Sequence, residues 1–250
     1  MSDLIFEKNY LKQIIFKVDF RTIPELRGID ANPDKFVNII KDEFSKPNDV
    51  VQENKIQFSS ENPEIESIEK NNIWVFFNKS ESKFIELTNS SIAISYNGEM
   101  YLSHNEIIND ISLIIKALEE YNMPYINKIG LRYINEISPN VPITNWDSWI
   151  NPILHNFNSM DDNLKLRRSL TNSEFEINGY NLDFTYGQFN SNYPSTEIIN
   201  DFVLDYDCYT SSFTNINELT IKFEEMHEII ISLFKKSIGE DLIKDLKGEF

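Results

Sequence analysis

The chain has 250 residues and a single cysteine, Cys208, so no disulfide can form within it. A chain of this length can bury a sizeable core without such a staple. Only seven glycines are present. That scarcity nearly excludes a glycine-rich phosphate loop, and neither a dinucleotide fingerprint nor a GxSxG elbow occurs. Histidine is as sparse: His104, His155 and His227 are scattered, none paired at four-residue spacing. With no CxxC and no HExxH, no metal-ligand set is expected and no cofactor is called for. No run approaches the roughly 18 consecutive apolar residues of a membrane span. The opening Met1–Lys8 segment lacks the basic and apolar blocks of a secretion signal, so a cytoplasmic protein with no membrane contact is expected. Basic residues are outnumbered, 23 Lys and Arg against 40 Asp and Glu, for a net charge of −17. Such a surface repels phosphate backbones, which argues against direct nucleic-acid binding and favours solubility and basic protein partners.

What is present reads as strands and helices in alternation. Gln13–Arg21 alternates, with Ile14, Phe16, Val18 and Phe20 on one face. A helix is expected from about Asp34 to Ser45, carrying Phe36, Ile39, Ile40 and Phe44. Short strands follow at Lys55–Ser59, Ile73–Phe77, Phe84–Thr88 and Ile92–Tyr96, with Glu61–Lys70 as a loop. A second helix opens at Ser103–Glu106, carries Ile107, Ile111, Ile114 or Ile115, and Leu118, and stops near Asn122–Pro124. The order then repeats: a strand at Lys128–Ile137, a helix at Asn145–Phe157 interrupted by Pro152, and strands at Leu164–Leu170, Glu174–Ile177, Leu182–Phe189 and Asp201–Tyr209. A long helix at Asn215–Lys236 and a short one at Glu240–Lys247 close the chain.

The two halves keep similar spacing. Ile14–Lys17 parallels Ile129–Arg132, Phe36 and Phe44 parallel Trp149 and Phe157, and Ile114 and Leu118 parallel Ile230 and Phe234, all offset by about 113–116 residues. The expected fold is therefore α+β, a tandem duplication of a β-α-(β)3–4-α unit with repeats at 1–124 and 125–250 in one compact unit. Antiparallel sheets would each be covered by a long helix, as in TATA-binding-protein-like and helix-grip architectures.

Three segments carry a family resemblance: Gly130-Leu131-Arg132-Tyr133-Ile134-Asn135, then Asp201-Phe202-Val203-Leu204-Asp205-Tyr206-Asp207, then Met226-His227-Glu228 followed by Leu233-Phe234. In this order they resemble a sporadically distributed family of uncharacterised prokaryotic proteins of about this length. The resemblance implies no catalytic residues. The family's patchy distribution implies a mobile gene, such as a phage-defence or toxin–antitoxin-like component.

Six residues stand out as candidate ligand-binding positions: Arg132, Asn135, Asp183, Asp205, Asp207 and His227. Asp205 and Asp207 sit two apart on a strand, so both carboxylates share a face, and Asp183 on a preceding strand could join them around a divalent ion. The plainer reading puts Phe202, Leu204, Tyr206 and Cys208 in the core and leaves the aspartates wet. Arg132 points away from Leu131 and Tyr133 and could tie to Asp205 or Asp207 across the sheet, or clamp an anion. Asn135 shares the apolar face, either at an exposed strand end, the preferred reading, or lining a cavity. His227 lies beside the apolar stripe of the long helix, as a packed, hydrogen-bonded histidine would. Lys165–Arg168 reads as a solvated strand edge and Cys208 as buried and inert.

Without a catalytic constellation, the leading expectation is a non-enzymatic component that binds a protein partner or ligand through sheet edges or a groove between repeats, with a homodimer as one form. A metal-dependent enzyme built on the strand aspartates, and an acidic nucleic-acid mimic, are the alternatives.

Overall fold

The fold was described from a computed structural model, in which residues 8–44, 49–58, 65–100, 103–139, 146–155 and 166–249 are described. The first half runs β1 (Leu11–Asp19), α1 (Asp34–Ile40), β2 (Asp49–Phe58), β3 (Ile65–Phe77), β4 (Lys83–Leu87), β5 (Ser91–Asn97) and α2 (His104–Glu120). The second runs β6 (Tyr125–Ile126), β7 (Lys128–Ile137), β8 (Ser169–Ile177), β9 (Tyr180–Gln188), β10 (Phe202–Thr210), β11 (Thr214–Asn215), α3 (Leu219–Ser237) and α4 (Glu240–Leu246).

Nine strands form one antiparallel sheet in the order β2-β3-β4-β5-β1-β7-β10-β9-β8, and β6 pairs with β11 apart from it. The separate sheets expected for the two halves are thus joined. β1 and β7 are hydrogen-bonded, with Ile14 opposite Tyr133 and Phe16 opposite Leu131, and the sheet has no cleft between the halves. In each half the first strand of the large sheet pairs with the last: β1 with β5, β7 with β10.

Period-two alternation decides the faces. On β7, Ile129, Leu131, Tyr133, Asn135 and Ile137 are buried and the residues between them are half-exposed. On β10, Phe202, Leu204, Tyr206 and Cys208 are buried, and Tyr206 stacks on Phe184 of β9 at 4.5 Å. The apolar stripes of α2 (Ile107, Ile111, Ile114, Leu118) and α3 (Leu219, Phe223, Met226, Ile230) close over this face. Phe223 reaches Phe16 of β1 edge-on at 5.9 Å, so the second-half helix also covers the first half's central strand. None of the described helices is long and apolar enough to cross a membrane.

Four expected elements differ. The two strands expected at Leu164–Leu170 and Glu174–Ile177 are one, β8, which begins only at Ser169 among the described residues and runs unbroken along β9. The first helix stops at Ile40 and continues only as a turn. The loop expected at Glu61–Lys70 is strand from Ile65 onward, because β3 pairs with β2 far beyond its apolar stretch, as far as Ile65 opposite Phe58. The helix expected at Asn145–Phe157 is a turn at 146–149 and one 3-10 turn at Pro152–Leu154. Pro152 has no N–H to continue a helix, the Asn151 side chain accepts from Ile153 N, and Ile150 forms a bridge with Ile238.

Gly187 on β9 has φ +139°, and a Cβ there would lie 2.0 Å from the Ser169 carbonyl oxygen of β8. Gly187→Ala combines backbone strain with a backbone clash. It is expected to lower the unfolding free energy by about 1–3 kcal/mol, read as a fall in the urea midpoint. An unchanged midpoint would show that β8 shifts freely.

Candidate functional site

The six sequence-selected residues divide between the two faces of the sheet. Arg132, Asp183, Asp205 and Asp207 lie on the face away from α2 and α3, while Asn135 and His227 meet on the covered side.

On the first face Arg132 is the tie that the alternation allowed. Its Nε donates to Asp205 Oδ1 at 2.8 Å and its Nη2 to Asp205 Oδ2 at 2.6 Å, a two-pronged contact from β7 to β10. Asp207 is the residue directly opposite Arg132, and Asp183 of β9 is directly opposite Asp207. Burial raises the Asp207 carboxyl above the ordinary carboxylate value; Arg132 and Lys128 pull it back, while Asp183 and Asp205 push it further up. Lys128 sits over the Tyr209 ring at 4.0 Å. Glu174 of β8 extends the acidic strip beyond Asp183. Among the described residues, no three His, Cys, Asp or Glu side chains are arranged to hold a metal ion.

On the covered face, Asn135 is 5% exposed, so the preferred expectation of an exposed strand end gives way to the other reading, a polar group in a cavity wall. It sits inside because Tyr10 and Leu11 run alongside this end of β7, with Leu11 opposite Asn135 and Tyr10 O accepting from Glu136 N, while α3 lies over it. Its Nδ2 donates to Leu204 O at 3.2 Å. The His227 Nδ1 and the Tyr133 hydroxyl are 2.8 Å apart, and the imidazole stacks on His104 of α2 at 5.2 Å. Burial, followed by the charge of His104, pushes the His227 pKa down to about 4, so the ring is neutral at physiological pH. The cavity has a volume of about 150 Å³, and Ile230, Ile231 and Phe234 of α3 form much of its wall.

A third cluster escaped the sequence reading. Lys83, 2% exposed, donates to Asp110 Oδ1 and Oδ2 at 3.0 and 2.8 Å and lies 2.8 Å from Glu43 and 3.2 Å from Glu106. Its signal was a phase match: Lys83 alternates in step with Ile85 and Leu87, and Asp110 falls on the Ile107–Ile111–Ile114 stripe. Burial lowers the Lys83 pKa, but the hydrogen bonds to Asp110 and Glu43 carry it above its ordinary value, so it is a fixed charge and no base.

Cys208 is buried, and its thiol is pushed up to about 12, mainly by burial. Arg167 donates to the Pro194 and Ser195 carbonyl oxygens, and Lys165 of the same basic cluster lies outside the described residues. Compared with known proteins, the chain matches no family model and no curated protein sequence.

Proposed function

We propose that this chain is a non-enzymatic binding component that receives a basic protein partner on the face of its sheet away from α2 and α3. The observation that carries the reading is the row Asp207–Asp183–Glu174, which crosses three adjacent strands with Arg132 already committed to Asp205. Opposite charge on a partner would meet an under-neutralised surface there, and the net charge of −17 would steer its approach.

The scaffold is a tandem duplication in this reading, supported by the matching connectivity: a first strand, a crossover, a meander, and a last strand that returns beside the first. The two first strands pairing at the centre make the arrangement resemble the saddle of TATA-binding-protein-like folds, with acids where a nucleic-acid binder would carry bases. The three motif segments that resemble the sporadic prokaryotic family support a role in a cytoplasmic defence or toxin–antitoxin-like module.

The test is purification of the tagged chain from its own cells. One stoichiometric partner with a basic surface is expected at low salt, and it should be released by about 0.5 M salt. The double variant Asp183→Lys with Glu174→Lys is expected to bind that partner at least about tenfold more weakly. Full retention by the double variant overturns the reading. So does nucleotide or nucleic-acid hydrolysis that Asp205→Asn or Asp207→Asn abolishes.

A further inference from the structure

The cavity on the opposite, helix-covered face is independent of that partner surface. Its volume of about 150 Å³ is that of an apolar cavity able to admit a benzene-sized guest. A register shift in β1 between Leu11 and Gln13, opposite β7, lies beside it; such a bulge re-aims a strand and parts it from its neighbour. Leu11, Ile230, Ile231 and Phe234 supply apolar wall.

Two carboxamides stand in that wall; the Asn9 oxygen accepts from Leu11 N at 3.1 Å, and the buried one, Asn135, is incompletely used. Leu204 O can only accept, so the Asn135 atom facing it at 3.2 Å must be Nδ2, and this fixes the orientation of the amide. Asn135 makes no other side-chain hydrogen bond among the described residues, although it is 95% buried by its 5% exposure. Its Oδ1 has no protein donor among the described residues and is not wholly buried, so a ligand O–H or N–H can reach and satisfy it.

We propose that this cavity binds a neutral single-ring aromatic carrying one O–H or N–H donor, a phenol-class molecule, with the ring against the apolar wall and the donor on Asn135 Oδ1. The surroundings favour a neutral guest. His227 is uncharged at physiological pH, and of the two lysines at the wall the Lys8 ammonium is held by Asp245 at 3.0 Å, which leaves Lys235 as the cation a carboxylate would meet and benzoate as the probe that tests it. Tyr10 donates to the same Asp245, at 2.8 Å.

The test compares phenol, toluene and benzoate as probes on the full chain, by chemical-shift titration and by rise in melting temperature. Phenol is expected to bind at least about tenfold more tightly than toluene, the isostere without a donor. Asn135→Leu should bring the two within about twofold, because it removes the acceptor and keeps the bulk. Ile231→Trp, which fills the cavity from a half-buried position on α3, should abolish both, and it serves where Asn135→Leu does not fold. Equal affinity for phenol and toluene in the unaltered chain overturns the proposal. Tighter binding of benzoate than of phenol, or no binding of phenol, overturns it as well.

Discussion

Asp110→Ala is expected to lower the unfolding free energy by about 3–5 kcal/mol, among the largest losses any single substitution in this chain should cause. Lys83 is 2% exposed and its one buried carboxylate partner among the described residues is Asp110, which takes two of its hydrogen bonds. Glu43 and Glu106 also reach the ammonium, but their side chains are 48% and 27% exposed and share their charge with water. Removing Asp110 leaves a buried cation held from one side, and it takes an acceptor 2.8 Å from the Tyr96 hydroxyl. The desolvation penalty of Lys83 then stands largely uncompensated. Replacing both charges, as Lys83→Met with Asp110→Leu, should cost far less than the single change, about 1 kcal/mol or under, since a buried pair and a well-packed apolar pair are often close in free energy. Urea unfolding of both single variants and the double variant gives the comparison. Additive losses would show that the pair is solvated in solution. Because the folded-state pKa of Lys83 is raised, its stabilising contribution is complete below the ordinary value of 10.5 and fades only as pH rises past it, toward the higher folded value.

That cluster also shows where sequence reasoning stops. The expected strand began at Phe84 and left Lys83 out; alternation extended by one residue would put Lys83 on the face of Ile85 and Leu87, and helical spacing would put Asp110 on the buried stripe of α2, yet nothing local says that β4 and α2 meet at those two positions. A buried charge read alone looks like an error in phase; only the tertiary pairing turns two such errors into one ion pair. The same limit applied to Asn135. Its face was legible from Leu131 and Tyr133, but whether that end of β7 was covered depended on Tyr10, Leu11 and α3 packing against it.

Within strands the legibility was high, because a period of two leaves no freedom once one residue is placed. Phe202, Leu204, Tyr206 and Cys208 had to go in together, and Asp205 and Asp207 had to come out together. Between strands it was poor. The Arg132–Asp205 tie was one of two choices from sequence, and even the register would not have picked it: Arg132 faces Asp207 directly but reaches diagonally to Asp205. The pairing of β1 with β7, which turns two expected sheets into one, rests on ladder hydrogen bonds between residues more than a hundred positions apart, and backbone hydrogen bonds leave no mark in side-chain pattern. The Trp146–Leu154 segment failed for a different reason. Trp146, Trp149 and Ile150 have helical spacing but are used as anchors under the sheet, with the Trp146 ring 5.2 Å from Phe202. Spacing reports which residues are buried together, and a tight turn can satisfy it as well as a helix.

Acidification is the second large perturbation, and His227 is its focus. An ordinary histidine has a pKa of 6.5, whereas burial and then His104 push His227 down to about 4. The unfolded chain therefore binds a proton at this residue between pH 6.5 and 4 while the folded chain does not, so folding stability is complete above that window and falls as pH drops through it. The loss attached to this one group is about 3 kcal/mol, from about 1.4 kcal/mol per pKa unit. Its structural meaning is specific. The imidazole is the point where α2, through His104 stacked at 5.2 Å, and β7, through the Tyr133 hydroxyl at 2.8 Å, meet α3. Protonating it places a cation against the His104 ring, whose neighbouring carboxylate, Glu224, is 3.7 Å away and 40% exposed. His227→Gln keeps an acceptor for the Tyr133 hydroxyl and has no proton to gain. Unfolding measured at pH 7 and pH 4.5 should show a loss in the unaltered chain that the variant reduces by about 2–3 kcal/mol. Parallel losses in both proteins would mean that His227 titrates normally and is open to water, and the covered, neutral cavity beside it would have to be given up with it.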